Sequence, residues 1–183
     1  MAFDEKKTIG MLRADDASKS RAFEEIVRTF SEQLYWQIRH MVYSHDDAND
    51  LLQNTFIKAW QNIDSFQGYS KISTWLYRIA INETLTFINR QKVMQTVAID
   101  DPDVNLDERL EGDPYFDGNE TEEQLQQAIA TLPEKQRMVF NMKYFDEMKY
   151  EDMSEILGTS VGALKASYHI AVKKIEDYFN NLD

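Results

Sequence analysis

Apolar residues recur every three or four positions over most of this chain, the spacing of an amphipathic α-helix. A short helix is predicted over about residues 4–14, and a longer one from about Ser20 to Tyr43. Ser44 begins a capping box that opens a third helix, and a fourth helix ends near Arg90. Between the third and fourth helices, residues 64–70 form a predicted loop with a central glycine.

The end of the chain continues this spacing in shorter elements. One helix carries Leu125, Ala128, Ile129 and Leu132, and the next is predicted to start at Pro133, where a missing N–H costs nothing. A short helix over Tyr150–Leu157 is ended by Gly158, and Ser160 caps a last helix. Only six glycines and three prolines leave little room for the turns of a sheet-rich fold. The sequence therefore predicts an all-α protein.

The segment 93–119 breaks the helical pattern. It contains one basic residue against eight acidic ones, two prolines and two glycines, and its apolar residues follow no sustained period. We interpret it as an acidic, mostly extended linker, with room for a short helix near residues 106–110. It would separate two small helical domains, residues 1–92 and residues 120–183.

Composition narrows the class of protein further. The net charge of −12 opposes binding to free DNA, because duplex affinity comes largely from basic residues that neutralise phosphates. There is no cysteine, no apolar run long enough for a membrane span and no signal-peptide pattern after Met1. A cytoplasmic protein is expected.

Residues 150–180 have the pattern of a helix-turn-helix, whose second helix lies in the major groove. The outward face of that helix is predicted to present Ala163, Ala166, Ser167, Ile170 and Lys173, flanked by Lys165 and His169. Small side chains let a helix approach base edges, while lysines suit phosphates. A plain helical hairpin with a solvated face has the same periodicity, so both interpretations remain open.

Two segments of the first domain carry unusual surfaces. The helix at residues 50–60 has apolar residues on more than one side, which marks either a partner site around Leu51, Phe56 and Trp60 or contact with a neighbouring helix. After the loop, Lys71, Trp75, Arg78 and Asn82 share one helix face. Aromatic, basic and amide groups together suit single-stranded nucleic acid, although Trp75 is equally compatible with a core position.

Residues that would indicate catalysis are scarce. His40 and His45 are five positions apart and do not form a metal-binding pair on one helix face. The sequence contains no phosphate-binding glycine loop, no dinucleotide-binding turn and no HExxH motif. We therefore expect no enzymatic activity, no metal and no cofactor.

Three segments, in this order, resemble the extracytoplasmic-function sigma factors, the smallest members of the sigma-70 family. The first runs from Asp50-Leu51-Leu52-Gln53 through Phe56 and Ala59-Trp60 to Phe66, Gly68, Ser73-Thr74-Trp75-Leu76-Tyr77-Arg78-Ile79-Ala80 and Asn82. The second is Leu132-Pro133-Glu134-Lys135-Gln136-Arg137. The third runs from Tyr150-Glu151-Asp152 through Ile156-Leu157-Gly158 to Ser160-Val161-Gly162 and Lys165.

The resemblance implies a factor that directs core RNA polymerase to promoters by reading their −10 and −35 elements. The polymerase-docking residues would be Asp50, Leu51, Gln53, Phe56 and Trp60. The −10 element would be melted and one flipped base captured by Phe66, Gly68, Tyr69, Lys71, Ser73, Thr74, Trp75, Arg78 and Asn82. The −35 duplex would be read by Ser160, Val161, Gly162, Ala163, Lys165, Ala166, Ser167, His169 and Lys173.

The resemblance also implies an anti-sigma factor as a partner, and an acidic linker that threads a polymerase channel built for nucleic acid. The sequence departs from the family at the recognition helix, where Ser167, Ile170 and Val172 stand at places that often hold arginine, and at Lys149, where a Ser or Thr cap is common. Two other hypotheses remain: a stand-alone helix-turn-helix regulator, which the −5 charge of residues 120–183 disfavours, and an enzyme with a helical carboxylate site.

Overall fold

A computed structural model describes residues 3–42, 44–97 and 120–182. This part of the chain forms eight α-helices and one 3₁₀ turn, and no strand. The bounds are α1 Glu5–Leu12, α2 Asp16–Val42, α3 His45–Asn62, the 3₁₀ turn Ile63–Ser65, α4 Ile72–Val97, α5 Glu120–Ala130, α6 Glu134–Tyr144, α7 Tyr150–Leu157 and α8 Val161–Asn180. The prediction of an all-α fold is confirmed.

Most helix ends follow the local chemistry of the sequence. The Ser44 side chain accepts a hydrogen bond from the Asp47 N–H at the start of α3. Ser160 does the same for the Ala163 N–H at the start of α8. Gly158 ends α7 in the left-handed conformation, with φ of 65°, which a residue without Cβ adopts at little cost.

Two predicted helix ends differ from the structure. α2 begins at Asp16 rather than near Ser20, because Asp15 caps it by accepting a hydrogen bond from the Ser18 N–H at 2.9 Å. α4 continues to Val97 instead of ending near Arg90, so its last turns extend past the boundary predicted at residue 93. The predicted linker otherwise lies outside the described residues, as do its short helix and Tyr43.

The first domain is a bundle in which α2, α3 and α4 pack on one another and α1 packs on α2. Its core contains Ile26, Leu34, Ile38, Leu51, Ala59, Ile72, Leu76 and Ala80, each at most 5% exposed. The second domain packs α5, α6 and α7 against α8, around Ile129, Leu132, Phe140, Ala171 and Ile175. Hydrophobic burial in each bundle is the main stabilising term.

The two domains pack against each other. α6 lies on α2 and α7 lies on α4, so Met138, Met142 and Met153 join the apolar cluster of the first domain. The His40 ring stacks on Phe145 with 4.1 Å between ring centres. Polar contacts between the domains include a hydrogen bond from the Asn141 amide to the His40 carbonyl and an ion pair between Lys92 and Glu134 at 2.6 Å.

Candidate protein and nucleic-acid interfaces

An aromatic patch occupies the outer side of α3. Trp60 is 41% exposed and Ile57 is 48% exposed, unusual values for large apolar side chains. Phe23 supports the Trp60 ring at 5.0 Å between centres, and Lys19 Nζ lies 5.5 Å from the same ring. Half-buried Phe56 packs against Phe23 at 6.4 Å. We call Phe23, Phe56, Ile57 and Trp60 the α3 patch.

The predicted docking residues divide between this surface and the core. Asp50 and Gln53 are exposed beside the α3 patch. Leu51, in contrast, is only 5% exposed and packs inside the bundle, so its expected place on the surface is wrong. α3 lies between α2 and α4, and its buried side runs through Leu51, Thr55 and Ala59. Ile57 supplies apolar surface where Leu51 was expected.

The loop predicted to capture the base, Phe66–Thr74, is a loop only as far as Lys71, because α4 begins at Ile72. We call residues 66–71 the base-capture loop, and it has a buried anchor and an exposed tip. Phe66 is buried and packs on Trp75 with 5.1 Å between ring centres. Gly68 has φ of 76°, a conformation that favours glycine. Tyr69, next in the chain, is 94% exposed and offers both faces of its ring to solvent. Thr74 is buried at the start of α4, so it presents no surface to a DNA strand.

An open cavity of about 600 Å³ lies beside this loop. Its walls come from α1, the start of α2, the 3₁₀ turn and the loop itself. The lining includes apolar Ile9, Leu12, Ile63 and Phe66, basic Arg13 and Lys19, and acidic Asp15, Asp16 and Asp64. The Lys19 ammonium pairs with Asp64 and the Arg13 guanidinium donates to the Gln67 carbonyl, so the apolar part of this lining, rather than its charge, suits a planar base.

The basic face of α4 is in contact with α7 of the second domain. Lys71 Nζ lies 3.3 Å from a carboxylate oxygen of Asp152, and the Arg78 guanidinium donates a hydrogen bond to the Glu155 carbonyl at 2.6 Å. Asn82 is exposed, one turn further along α4, whereas Ser73 and Trp75 are half-buried. In this arrangement, groups predicted to contact single-stranded DNA bind the helix-turn-helix instead.

A buried carboxyl lies in the same contact between domains. Asp146, between α6 and α7, has an Oδ2 atom that is inaccessible to solvent and makes no hydrogen bond within the described ranges. Burial raises the pKa of Asp146 to about 7. The pKa of Tyr77 on α4 is also raised, first by burial and then by the Asp146 charge. His40, stacked nearby on Phe145, has its pKa lowered to about 4 by burial and by Arg39.

Most residues predicted for the outer face of α8 are exposed. The exposed residues are Ser160, Gly162, Ala163, Lys165, Ala166, His169, Ile170 and Lys173, whereas Val161 and Ser167 are half-buried. Lys165 Nζ lies 5.7 Å from the ring centre of Tyr150, the first residue of α7. Leu164, Ala171 and Ile175 face inward, so the small side chains at 163 and 166 are left on the outer face.

Sequence reasoning missed the groups that α1 contributes to the loop. Glu5 accepts a hydrogen bond from the Ile72 N–H at 2.5 Å, and Arg13 donates one to the Gln67 carbonyl at 2.9 Å. These partners are 67 and 54 residues apart in the chain, and no helical spacing connects them. Only the unusual density of charge at the start of the chain could have indicated them.

Within the described ranges, the structure presents no candidate for a metal site or a membrane-spanning segment. No group of three or more His, Asp or Glu residues there could hold a metal ion. No helix in the same ranges is both long and apolar enough to cross a membrane.

Comparison with known proteins identifies both domains. Residues 26–93 match Sigma-70 region 2, and residues 122–175 match Sigma-70, region 4. The chain is 34% identical over 181 residues to the ECF RNA polymerase sigma factor SigW of Bacillus subtilis, with 90% of each chain covered. It is 30% identical over 165 residues to the ECF RNA polymerase sigma-E factor of Haemophilus influenzae, covering 86% of this chain and 87% of the relative.

Solved structures share the fold. The sigma factor RpoE from Bartonella quintana, in a complex with the anti-sigma factor NepR, aligns with a TM-score of 0.70 at 23% identity, over 86% of this chain and 96% of that one. CnrH, in a complex with the cytosolic domain of CnrY, aligns with a TM-score of 0.70 at 19% identity, over 97% of both chains. Both sigma-70 regions and the identity to SigW over most of the chain lead to one conclusion: this protein belongs to the extracytoplasmic-function sigma factors of the sigma-70 family.

Proposed function

We propose that this chain binds core RNA polymerase through Asp50, Gln53 and the α3 patch, reads a melted −10 strand with loop 66–71 and α4, and reads a −35 duplex with α8. One observation carries this proposal. The chain combines region 2 with an exposed aromatic at a loop tip and region 4 with an exposed small-residue recognition helix. Promoter selection needs both: one domain for the open strand and one for the duplex.

At the −10 element, Tyr69 is the group best placed to stack on a base, because its ring is exposed at the tip of the loop. The adjoining cavity of about 600 Å³ is large enough for a flipped base. Lys71 and Arg78 supply positive charge along the path of the strand. Their contacts with Asp152 and Glu155 must be released first, so α7 has to separate from α4 before the strand binds.

At the −35 element, the methyl groups of Ala163 and Ala166 suit contact with thymine methyls in the major groove. Lys165 and Lys173 lie at the flanks, where phosphates would pass. The recognition helix carries no arginine, which favours a preference set by shape and apolar contact rather than by bidentate binding to guanine.

The chain would act in the cytoplasm with its polymerase and without catalysis of its own, because the polymerase performs the chemistry of transcription. Residues 93–119, with seven more acidic than basic residues, would pass through a basic polymerase channel. The structural relatives RpoE and CnrH were solved in complexes with NepR and CnrY, and NepR is an anti-sigma factor. We extend that kind of partner to this chain, with the α3 patch as its contact surface.

The direct test is to mix the purified protein with bacterial core RNA polymerase, measure co-elution, and sequence run-off transcripts from a genomic fragment library. Complex formation with specific transcripts is expected and would define the promoter motif. Retention of duplex DNA by the protein alone, with no polymerase complex, would instead support a stand-alone regulator.

Replacing Tyr69 with alanine should lower holoenzyme affinity for a single-stranded −10 oligonucleotide by about tenfold, since stacking of one base contributes about 1–3 kcal/mol. Tyr69→Phe keeps the ring and should bind nearly as well as the wild type. The measurement is fluorescence anisotropy of labelled oligonucleotide. Equal affinities for the wild type and Tyr69→Ala would remove this ring from the −10 site.

Replacing Lys165 with alanine should reduce the salt dependence of promoter binding by about one unit of log–log slope, because one phosphate contact is lost. The matched control is Lys135→Ala, an exposed lysine at the start of α6 and outside the recognition motif. Filter binding of holoenzyme to −35 duplex over a salt series provides the slopes. If both variants retain the wild-type slope, Lys165 makes no phosphate contact.

A further inference from the structure

α1 and the residue that follows it contact both ends of the base-capture loop. The proposed function makes no use of these contacts. At one end, the Arg13 guanidinium donates a hydrogen bond to the Gln67 carbonyl at 2.9 Å. At the other end, a Glu5 carboxylate oxygen accepts a hydrogen bond from the Ile72 N–H at 2.5 Å. The exposed tip, Tyr69, lies between these two attachments.

The Glu5 carboxylate caps the start of α4. Ile72 is the first residue of α4, and the first N–H groups of a helix have no partner within it. Lys71, which precedes it, has no acceptor atom in its side chain. A carboxylate at this end is further favoured by the helix dipole. Glu5 therefore fixes the point at which the loop becomes helix.

The contact of Arg13 fixes the opposite end at its tightest bend. Gly68 follows Gln67 and has φ of 76°. A Cβ atom on Gly68 would lie 3.4 Å from an Arg13 guanidinium nitrogen and 3.9 Å from the Ile9 side chain. α1 therefore lies directly against the loop backbone and also lines the cavity beside it.

α1 is itself held firmly enough to act as a support. Thr8 is fully buried, and its hydroxyl donates to the Asp4 carbonyl. Asp4 caps α1 by accepting a hydrogen bond from the Lys7 N–H. Just before the helix, Phe3 packs edge-on against Phe30 of α2 at 5.1 Å.

We propose that Glu5 and Arg13 are positioning residues that hold loop 66–71 in the conformation that captures the flipped −10 base. The proposal rests on the proposed function of this loop. A loop already ordered before binding loses less conformational entropy when the base enters, so affinity rises without any new contact to DNA. α1 is thereby part of the −10 site although Glu5 touches no nucleotide.

The test uses holoenzyme assembled from core RNA polymerase and each variant, with a fluorescent single-stranded −10 oligonucleotide and a version substituted at the captured base. Glu5→Ala and Arg13→Ala should each lower affinity for the matched oligonucleotide by about tenfold and reduce discrimination against the substituted one. Glu5→Gln keeps an acceptor and Arg13→Lys keeps a donor, so each should recover part of the loss. Glu24→Ala and Arg28→Ala, exposed positions on α2, control for the change of charge.

Core binding and the thermal midpoint are measured in parallel for every variant. Core binding should match the wild type because the α3 patch is unaltered, and the thermal midpoint should fall by only a few degrees, the effect of losing one cap or one loop contact. If both alanine variants discriminate between the two oligonucleotides as well as the wild type does, the positioning role is overturned. Tyr69→Ala still tests the role of the loop itself. A parallel fall in core affinity, or a fall in thermal midpoint of more than a few degrees, would also overturn it and leave α1 a general support. If wild-type holoenzyme does not distinguish the two oligonucleotides, the −10 assignment itself is wrong and the positioning role fails with it.

Discussion

Replacing Trp60 with alanine should weaken binding to core RNA polymerase by about 30-fold or more. Buried aromatic anchors at the centre of an interface typically contribute at least about 2 kcal/mol, and tryptophan is prominent among them. Trp60 is 41% exposed in the free chain, yet Phe23 and Lys19 already hold its ring in place. Little ordering is therefore needed when a partner covers it. Isothermal titration with core polymerase measures the effect.

Two controls separate docking from folding. Trp60→Phe keeps an aromatic ring on Phe23 and should lose only part of the affinity. Met94→Ala removes an apolar side chain that is 70% exposed on α4, far along the sequence from the α3 patch, and should bind normally. Trp60→Ala should also unfold within a few degrees of the wild type, since its side chain is not in the core. Normal core binding by this variant would exclude the α3 patch as the docking surface.

Replacing Asp146 with asparagine should change how stability depends on pH. The Asp146 carboxyl holds its proton in the folded chain up to a pKa of about 7, against an ordinary value of 3.8. The folded state then binds more protons than the unfolded state between these values, so the free energy of unfolding falls as pH rises from about 4 to about 7. The difference corresponds to at most about 4 kcal/mol. Groups facing Asp146 are Tyr77 of α4 and, around a second and smaller cavity that Asp146 itself lines, Glu147, Lys149 and Asp152.

The pH dependence that His40 contributes to the free energy of unfolding has the opposite sign. Its pKa falls from 6.5 to about 4 in the folded chain, so the stability it contributes is present above pH 6.5 and is lost as pH falls towards 4. Between pH 4 and 6.5 the contributions of Asp146 and His40 largely cancel. Asp146→Asn removes one of them, and the stability of the variant should therefore rise with pH over this interval.

Urea unfolding of the wild type and Asp146→Asn from pH 4 to 8 measures the two profiles. The asparagine amide adds a cost of burial that shifts its whole profile but leaves the slope unchanged, so the slope is the informative quantity. The control is Asp177→Asn, which makes the same chemical change on the exposed side of α8. Parallel profiles for all three proteins would show that Asp146 ionises in the fold as it does in the unfolded chain.

Local signals in the sequence were enough to predict most of the fold. The Ser44 and Ser160 caps, the left-handed Gly158 and the bounds of α7 each depend on neighbouring residues alone. The buried side of α3 did not follow the pattern of apolar residues. Thr55 is fully buried there because its hydroxyl donates to the Leu51 carbonyl at 2.7 Å, so a polar residue occupies a core position without an unpaired group.

The candidate site was predictable only in part, for a related reason. The exposure of Trp60 and Lys165 follows from the face of the helix on which each lies, and that of Tyr69 from the glycine beside it in the loop. Both signals can be read in the sequence. The contacts of Glu5 and Arg13 with the loop, and of Asp152 with Lys71, join residues at least 54 positions apart. Such contacts depend on how the helices pack, and helical periodicity carries no information about which helices meet.

The contact between α4 and α7 means that nucleic acid must compete with part of the same chain. Because the two helices are covalently connected, each encounters the other at an effective concentration that can reach the millimolar range. The exposed ion pair of Lys71 with Asp152 adds at most about 1 kcal/mol to the stability of the closed arrangement. The packed methionines of α6 and α7 therefore contribute most of that stability. If about one chain in a hundred were open, a DNA strand would bind the free protein about a hundredfold more weakly than the open form. A partner that binds both domains at once and keeps them apart removes that penalty. Such a partner therefore makes the chain competent to bind a promoter, in addition to bringing it to one.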